Sequence, residues 1–387
     1  MKINNPERLY VRRALLPTGW AENVLLVFNA DGRIEAVERE ANGASPPLPL
    51  TAMPALIDGH IHGAAGADVM DDSPQGLATI AGFLAEHGVG AFLATTVTAE
   101  HADIERALRQ VKAGQQHGLA GAELLGSYLE GPFFTARHKG AHPERLLHEP
   151  QKTLLERWIA LAQGSLHSVA LAPEYDASMA LIPWLKAHGI RVMIGHSNAG
   201  YDLACQALAQ GADGVVHCYN GMNGLHHREP GMVGAALTTA DCQVELIADG
   251  HHVHPAAMRI ARRCCGERLL LISDAMRAAG MPAGDYMLGE EPVHMREGIV
   301  RTEEGSLAGS VLTLDRAVDV LARACDISLA QAWLHGSLYP ARALGIADRL
   351  GSIEAGKQAS LTLLGAQDAV AATLVKGAWA YRNEMLF

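Results

Sequence analysis

Between Ala55 and Ala275 the chain repeats one alternation eight times, a short apolar run followed in most cases by a segment with helical spacing. The runs are ALID, VGAFLATT, AELLGSYL, HSVALAP, IRVMIG, DGVVH, CQVELIA and RLLLIS. The segments between them include GLATIAGFLAEHG, ADIERALRQVKAG, TLLERWIALAQG, ASMALIPWLKAHG and DLACQALAQG, several of which end in glycine, the usual left-handed helix stop. β-runs that are apolar throughout, rather than at every second residue, belong to a parallel sheet covered by helices. A count of eight favours closure into a (β/α)8 TIM-like barrel over an open doubly wound sheet, so the expected class is α/β.

The flanks read differently. LYVRRALL, ENVLLVF and RIEAVERE are short β-like runs, with a turn at Asn29 to Gly32 and a Pro-rich connection from Ser45 to Pro49. After the eighth run come two helical patterns, LTLDRAVDVLARAC and SLAQAWLHGSLYPARALG, and then β-like text in SLTLL and ATLVKGAWAY. We expect residues 1–53 and 345–387 to build one small β-sandwich domain, with the barrel, 54–344, inserted between them. The long polar loop from Tyr219 to Gly234 is expected to be functional.

A formal net charge of −11 argues against nucleic acid or an anionic membrane as the main partner, and means that an anionic substrate needs a local cation. The N-terminal MKINNPERLY lacks the apolar core of a signal peptide, and no apolar segment approaches about 18 residues, so a cytoplasmic location is expected. The six cysteines fall in no CxxC spacing and read as reduced thiols.

Barrels carry their working residues at the C-terminal ends of the strands. His60 and His62, an HxH pair whose side chains share one face of an extended strand, end the first run; Glu130 ends the third, His196 the fifth, His217 the sixth and Asp274 the eighth. Six residues able to bind metal or move protons thus share one mouth, whereas His87, His117, His167 and His188 fall in helices or helix ends and read as surface residues. Imidazole and carboxylate ligands without thiolate suit a divalent metal, zinc first, with iron, manganese or cobalt also compatible. A bound metal brings the pKa of water to about 7, and an aspartate beside that water can move its proton. Hydrolysis is the reaction class implied.

These residues carry a family resemblance. The HxH, LEGPF with KGAH at Lys139 to His142, GHSNA, HCYNGM, REPG, IADGHHVH, ISDA and LAGS resemble, in order over nearly the whole chain, the N-acetylhexosamine-6-phosphate deacetylases of the amidohydrolase superfamily. HCYNGMNGLHHREPGMVG and GSYLEGPFF look most like the N-acetylgalactosamine-6-phosphate branch rather than the N-acetylglucosamine-6-phosphate one. The resemblance implies that Glu130, His196 and His217 hold the principal ion and that Asp274 is general base and then general acid. It implies that Ala141 and His142, with Leu307, Ala308 and Gly309, meet the sugar. Asn220, Gly221, Arg228 and the stretch Asp249, Gly250, His251 and His252 would help to hold sugar and phosphate. His60 and His62 become ligands of a second ion. Because the arginine can come from a neighbouring subunit in related enzymes, a homodimer is implied. Another amidohydrolase activity, cyclic-amide hydrolysis or deamination, and a non-catalytic sugar-phosphate sensor are the alternatives.

Overall fold

The computed structural model describes residues 5–41 and 46–383, so the first four residues and Ser45 of the expected connection lie outside the described residues. Four strands come first: β1 (Arg8–Leu16), β2 (Gly19–Phe28), β3 (Ile34–Glu38) and β4 (Leu48–Pro54). The eight apolar runs then form β5 (Leu56–Ile61) and, after a small hairpin of β6 (Gly63–Ala64) and β7 (Ala67–Asp68), β8 (Val89–Thr96), β9 (Glu123–Glu130), β10 (Leu166–Leu171), β11 (Arg191–Ile194), β12 (Gly214–Val215), β13 (Gln243–Ile247) and β14 (Leu269–Ile272). They pair in chain order, every ladder parallel. β8 is buried at every position, because barrel core lies on one side of it and helices on the other.

The barrel closes between its first and last strands by two different devices. Near the mouth the backbones meet directly: the N–H of Asp274 donates to the carbonyl of His60 at 2.9 Å, and that of His62 to the carbonyl of Ala275 at 2.9 Å. Deeper in the barrel the strands are held apart and a later segment is wedged in, with Ile57 N–H donating to Gly336 O at 2.8 Å and Leu271 N–H to His335 O at 2.9 Å. This wedge explains a departure from the sequence reading. SLAQAWLHGSLYPARALG is two short helices, Leu329–Leu334 and Leu338–Ala343, because the backbone carbonyls of His335 and Gly336 leave the helix to serve the seam.

Further departures have physical reasons. The polar loop expected from Tyr219 to Gly234 ends earlier, at Pro230, because Gly231–Thr238 is a buried helix. A three-stranded antiparallel sheet, β15 (Gly284–Leu288), β16 (Glu291–Arg296) and β17 (Ile299–Thr302), stands where no strand was expected; its strands are half exposed and lack the continuous apolar run that marks a barrel strand. His167 lies on β10 and is only partly exposed.

The C-terminal strands β18 (Leu361–Leu364), β19 (Val370–Val375) and β20 (Ala378–Arg382) join the N-terminal ones in one mixed sheet, ordered β20-β19-β18-β4-β1-β2-β3, with its own apolar core. Two buried threonines fasten it to the barrel. Thr362 and Thr373 donate to the carbonyls of Gly88 (2.6 Å) and Ala85 (2.7 Å), at the end of helix Pro74–Glu86 where carbonyls lack helical partners. Among the described residues no helix is long and apolar enough to cross a membrane.

His335 makes the seam sensitive to acid. Its Nδ1 donates to Leu269 O at 2.8 Å, and burial pushes its pKa down to about 4. A depressed histidine pKa means that the unfolded chain binds the proton first, so this stabilisation is complete above the ordinary value and is lost as pH falls from about 6.5 towards 4. The loss at that one residue is on the order of 3 kcal/mol. Thermal melts of metal-free protein should therefore fall across this window, and His335→Gln should flatten the fall; parallel wild-type and variant curves would remove His335 from the account.

Candidate active site

Each of the six strand-end residues reaches the barrel mouth, and three do so with unusual backbone geometry. His196, His217 and Asp274 have φ of 44°, 22° and 48°, a left-handed region that non-glycine residues seldom adopt. Leaving the strand this way turns each side chain inward over the barrel axis, and such strain persists where the surrounding structure enforces it. Gly221 shows the enforcement: at φ 61° its missing Cβ would stand 3.0 Å from Nδ1 of His196.

Glu130 is the centre of the cluster. Its Oε1 lies 3.1 Å from His217 Nε2, 3.4 Å from His60 Nε2 and 3.5 Å from His196 Nε2, while Oε2 lies 3.2 Å from His62 Nε2. The ligand atoms of His60, His62 and Asp274 fall within 4.8 Å of one another, and so do those of Glu130, His142 and His196. His217 Nε2 is 3.0 Å from His196 Nε2, two nitrogen atoms aimed at one point.

The outer edges of the imidazoles say which nitrogen carries the proton. His62 Nδ1 meets Thr95 O at 3.1 Å, His196 Nδ1 meets His138 O at 2.9 Å, His217 Nδ1 meets Asn220 O at 3.2 Å, and His60 Nδ1 meets a Glu245 carboxylate oxygen at 3.1 Å. All four partners only accept, so each Nδ1 is the donor and each Nε2 can turn a lone pair inward. His142 is the opposite case. Its Nδ1 receives the N–H of Thr98 at 3.4 Å and lies 2.8 Å from the Thr98 hydroxyl, which leaves the proton of the neutral ring on Nε2, 3.7 Å from Glu130 Oε2. Burial, with His196 adding to it, holds the His142 pKa well below the ordinary value, so the ring stays neutral.

The electrostatics match a site made for positive charge. Burial opposes charging His62, yet hydrogen bonds to Asp274 and Glu130 outweigh it and carry its pKa up to about 9. Burial likewise opposes ionising Asp274, and His62 with His60 brings its pKa down to about 2. The carboxylates are thus ionised, and their charge calls either for protons on the histidines or for a cation in their place. His60 Nε2 is buried without a hydrogen-bond partner, the kind of orphaned atom an ion would satisfy. The two buried triads are consistent with divalent metal ions.

A cavity of about 390 Å³ opens above the cluster, reaching His62, Glu130, His142, His196, His217 and Asp274 at its floor. His60 lies beneath, with no exposed surface. Ala141, Asn220, Gly221, His252, Leu307, Ala308 and Gly309 line the walls. Asp249, Gly250, His251 and Arg228 do not line it. Asp249 instead holds His252 in place, accepting from its Nδ1 at 2.6 Å and from the N–H groups of His251 and His252 at 2.8 Å each. Arg228 is exposed, bonded to His227 Nε2 at 2.8 Å, on a neighbouring cavity.

Two residues escaped the sequence reading. Arg137 lines both cavities and is the one arginine or lysine on the wall of the first among the described residues. Its signal was weak, one of two cationic residues, with Lys139, in the loop after LEGPF. Glu245 had a stronger one: a lone carboxylate inside the apolar run CQVELIA must find a partner when buried.

Known proteins resemble the chain over its length. Residues 51–380 match the amidohydrolase family, and residues 8–46 match the N-terminal domain of formimidoylglutamate deiminase. The chain is 50% identical to an N-acetylglucosamine-6-phosphate deacetylase of Vibrio furnissii, over 95% of this chain and 93% of that one. It is 48% identical to an N-acetylgalactosamine-6-phosphate deacetylase of Escherichia coli O157:H7, over 92% and 94%. The structure of an N-acetyl-D-glucosamine-6-phosphate deacetylase from Mycobacterium smegmatis, in complex with N-acetyl-D-glucosamine-6-phosphate, superposes with a TM-score of 0.91 at 30% identity, covering 97% of this chain and all of that one.

Proposed function

Because the chain belongs to the amidohydrolase family and, within it, to the metal-dependent N-acetylhexosamine-6-phosphate deacetylases, we propose that its own residues divide the hydrolysis of the acetamido bond in the following way. Glu130, His196 and His217 hold the principal divalent ion, with zinc the first choice, and His60 and His62, sharing Glu130 and Asp274, hold a second. Such an ion, when bound, acidifies water towards neutrality and polarises a carbonyl oxygen. Asp274 removes a proton from the attacking water and delivers it to the departing nitrogen, so that acetate and a hexosamine 6-phosphate are released. His142, with its proton on Nε2, donates a hydrogen bond into the cavity towards the substrate. The observation that carries this reading is the set of four imidazoles whose Nδ1 atoms are all committed outward while their Nε2 atoms converge on two carboxylates.

The sugar lies against Ala141, Leu307, Ala308 and Gly309, and its phosphate lies towards Asn220, Gly221 and His252. Arg137 supplies a cation from the same chain. Arg228, outside the cavity of its own chain, serves the phosphate of a neighbouring copy in a homodimer. Arg137→Ala and Arg228→Ala should each raise KM for phosphorylated substrate by about 10- to 100-fold, as expected for the loss of one charge-assisted hydrogen bond, with kcat changed far less. The Arg228 effect should be reproduced by diluting wild-type protein to monomer. An unchanged KM in either variant would remove that arginine from the phosphate site. A cytoplasmic location belongs to the same reading.

Acetate release from N-acetylglucosamine 6-phosphate, N-acetylgalactosamine 6-phosphate and the two unphosphorylated sugars tests the whole. The galacto epimer is the preferred substrate on the motifs HCYNGM and GSYLEGPFF. Equal turnover of the unphosphorylated sugars would sink the phosphate assignment, and no acetate from any of the four would favour a cyclic amidase, a deaminase or a sensor.

A further inference from the structure

Glu245 takes no part in the scheme above, yet it is a carboxylate 2% exposed in the middle of a barrel strand. A buried carboxylate without a partner is strongly unfavourable, so its position has to be explained by what it touches. Its Oε2 is 3.1 Å from Nδ1 of His60, which has no exposed surface, and the ring of His60 also packs on Tyr128 with centroids 4.9 Å apart. The opposite edge of the same ring presents Nε2 to Glu130 Oε1 at 3.4 Å and Asp274 Oδ1 at 3.6 Å, and that nitrogen has no hydrogen-bond partner.

We infer that Glu245 is a positioning residue for the deeper ion: by accepting the Nδ1 proton of His60 it fixes the tautomer and ring orientation in which Nε2 serves as a ligand, and so sets the affinity of the His60, His62 and Asp274 site. This rests on the reading that His60, His62 and Asp274 hold one divalent ion and Glu130, His196 and His217 the other, and it goes beyond that reading by ranking the two sites. The other three histidines lean on backbone carbonyls, which are neutral, whereas His60 alone leans on a carboxylate. A carboxylate acceptor holds the Nδ1 proton more strongly than a backbone carbonyl does and makes Nε2 a better donor to a cation. The deeper site is thus built for occupancy and is not a remnant. Among the described residues the Glu245 side chain hydrogen-bonds to His60 and to none of Glu130, His196 and His217, so its action on the deeper site runs through His60.

The experiment titrates metal-free wild type, Glu245→Leu and Glu245→Gln with cobalt(II), following the visible absorption and a competing chelator, with bound metal counted after dialysis. Wild type should take two ions. Glu245→Leu, which removes the acceptor, should bind the second about 10- to 100-fold more weakly with the first unchanged. Glu245→Gln, which keeps volume and an acceptor but not the charge, should fall between them, and it carries the test alone should the leucine variant not fold. His60→Asn should weaken the second ion too, and adding a Glu245 change to it should cause no further loss, because Glu245 acts through His60. Two ions of unchanged affinity in both Glu245 variants would overturn the role of Glu245 while leaving the two-ion reading intact. A single ion in wild type overturns the deeper site itself, and equal weakening of both ions would mark Glu245 as a general support of the barrel.

Discussion

Asp274→Asn is expected to lower kcat by about two to four orders of magnitude while the ion at Glu130, His196 and His217 stays bound, the size of effect associated with losing a general acid and base. Asparagine keeps the shape of the side chain but can neither accept nor return a proton. Asp274 stands at the end of β14 with its Oδ1 3.1 Å from His62 Nε2, on the cavity floor, and its carboxylate is held ionised with a pKa of about 2, the state in which a base must begin. Its backbone N–H is fixed by the His60 carbonyl across the barrel seam, so the substitution has little room to move the main chain. The checks are steady-state turnover on the 6-phosphate, metal content and a melting curve. Near-normal turnover with metal in place would take the proton-transfer role away from Asp274. Because Asp274 also belongs to the deeper triad, weaker binding of a second ion is expected as well, and the metal count separates that effect from the loss of chemistry.

Glu130→Ala should be more damaging to metal and comparably damaging to activity. One carboxylate faces both groups, with Oε1 towards His217, His60 and His196 and Oε2 towards His62. On the proposed two-ion reading, deleting it removes negative charge from both sites, whereas loss of Glu245 touches only the deeper one. The variant should retain well under one ion per chain after dialysis and lose about a thousandfold or more in turnover, since an ion in such a site contributes several kcal/mol to the barrier. Chelation of wild type should bring a similar loss, reversed by added zinc, cobalt or manganese, whereas no addition should restore the variant. A Glu130→Ala protein with two ions and wild-type turnover is the result that sinks the central assignment. The folded state should survive the change better than the activity does. In the metal-free chain the surrounding histidines can release their protons once Glu130 is gone, so no buried charge is stranded.

Much of this arrangement could be read in one dimension. The eight barrel strands match eight apolar runs because burial on both faces leaves an unbroken apolar signature, and helix His101–His117 shows its buried stripe, Ile104, Ala107, Leu108 and Val111, at the spacing the sequence predicts. The strand-end positions of His60, His62, Glu130, His196, His217 and Asp274 follow from that registration, since the end of a run is also the end of a strand. Legibility stopped where a feature depended on a distant partner. The break at His335 and Gly336 occurs in text that reads as continuous helix, and only the seam, more than fifty residues earlier in the chain, explains it. The antiparallel sheet of β15 to β17 was invisible because half-exposed strands carry a weaker apolar signal than barrel strands do.

The same division runs through the site. Residue types and their places along the strands, and with them the metal-ready mouth and the class of chemistry, were determined by the sequence alone, because an i, i+2 pair and a strand terminus are local properties of the backbone. Which nitrogen of each imidazole faces inward was decided only by the fold. His60 owes its tautomer to Glu245, 185 residues away, and His62, His196, His217 and His142 owe theirs to Thr95, His138, Asn220 and Thr98. The fold likewise left Arg228 outside the cavity and brought Arg137 to its wall. The physical reason is the range of the forces: burial patterns repeat along the chain and can be read from it, whereas a proton's position is set by the one group within about 3 Å, and only the closed barrel says which group that is.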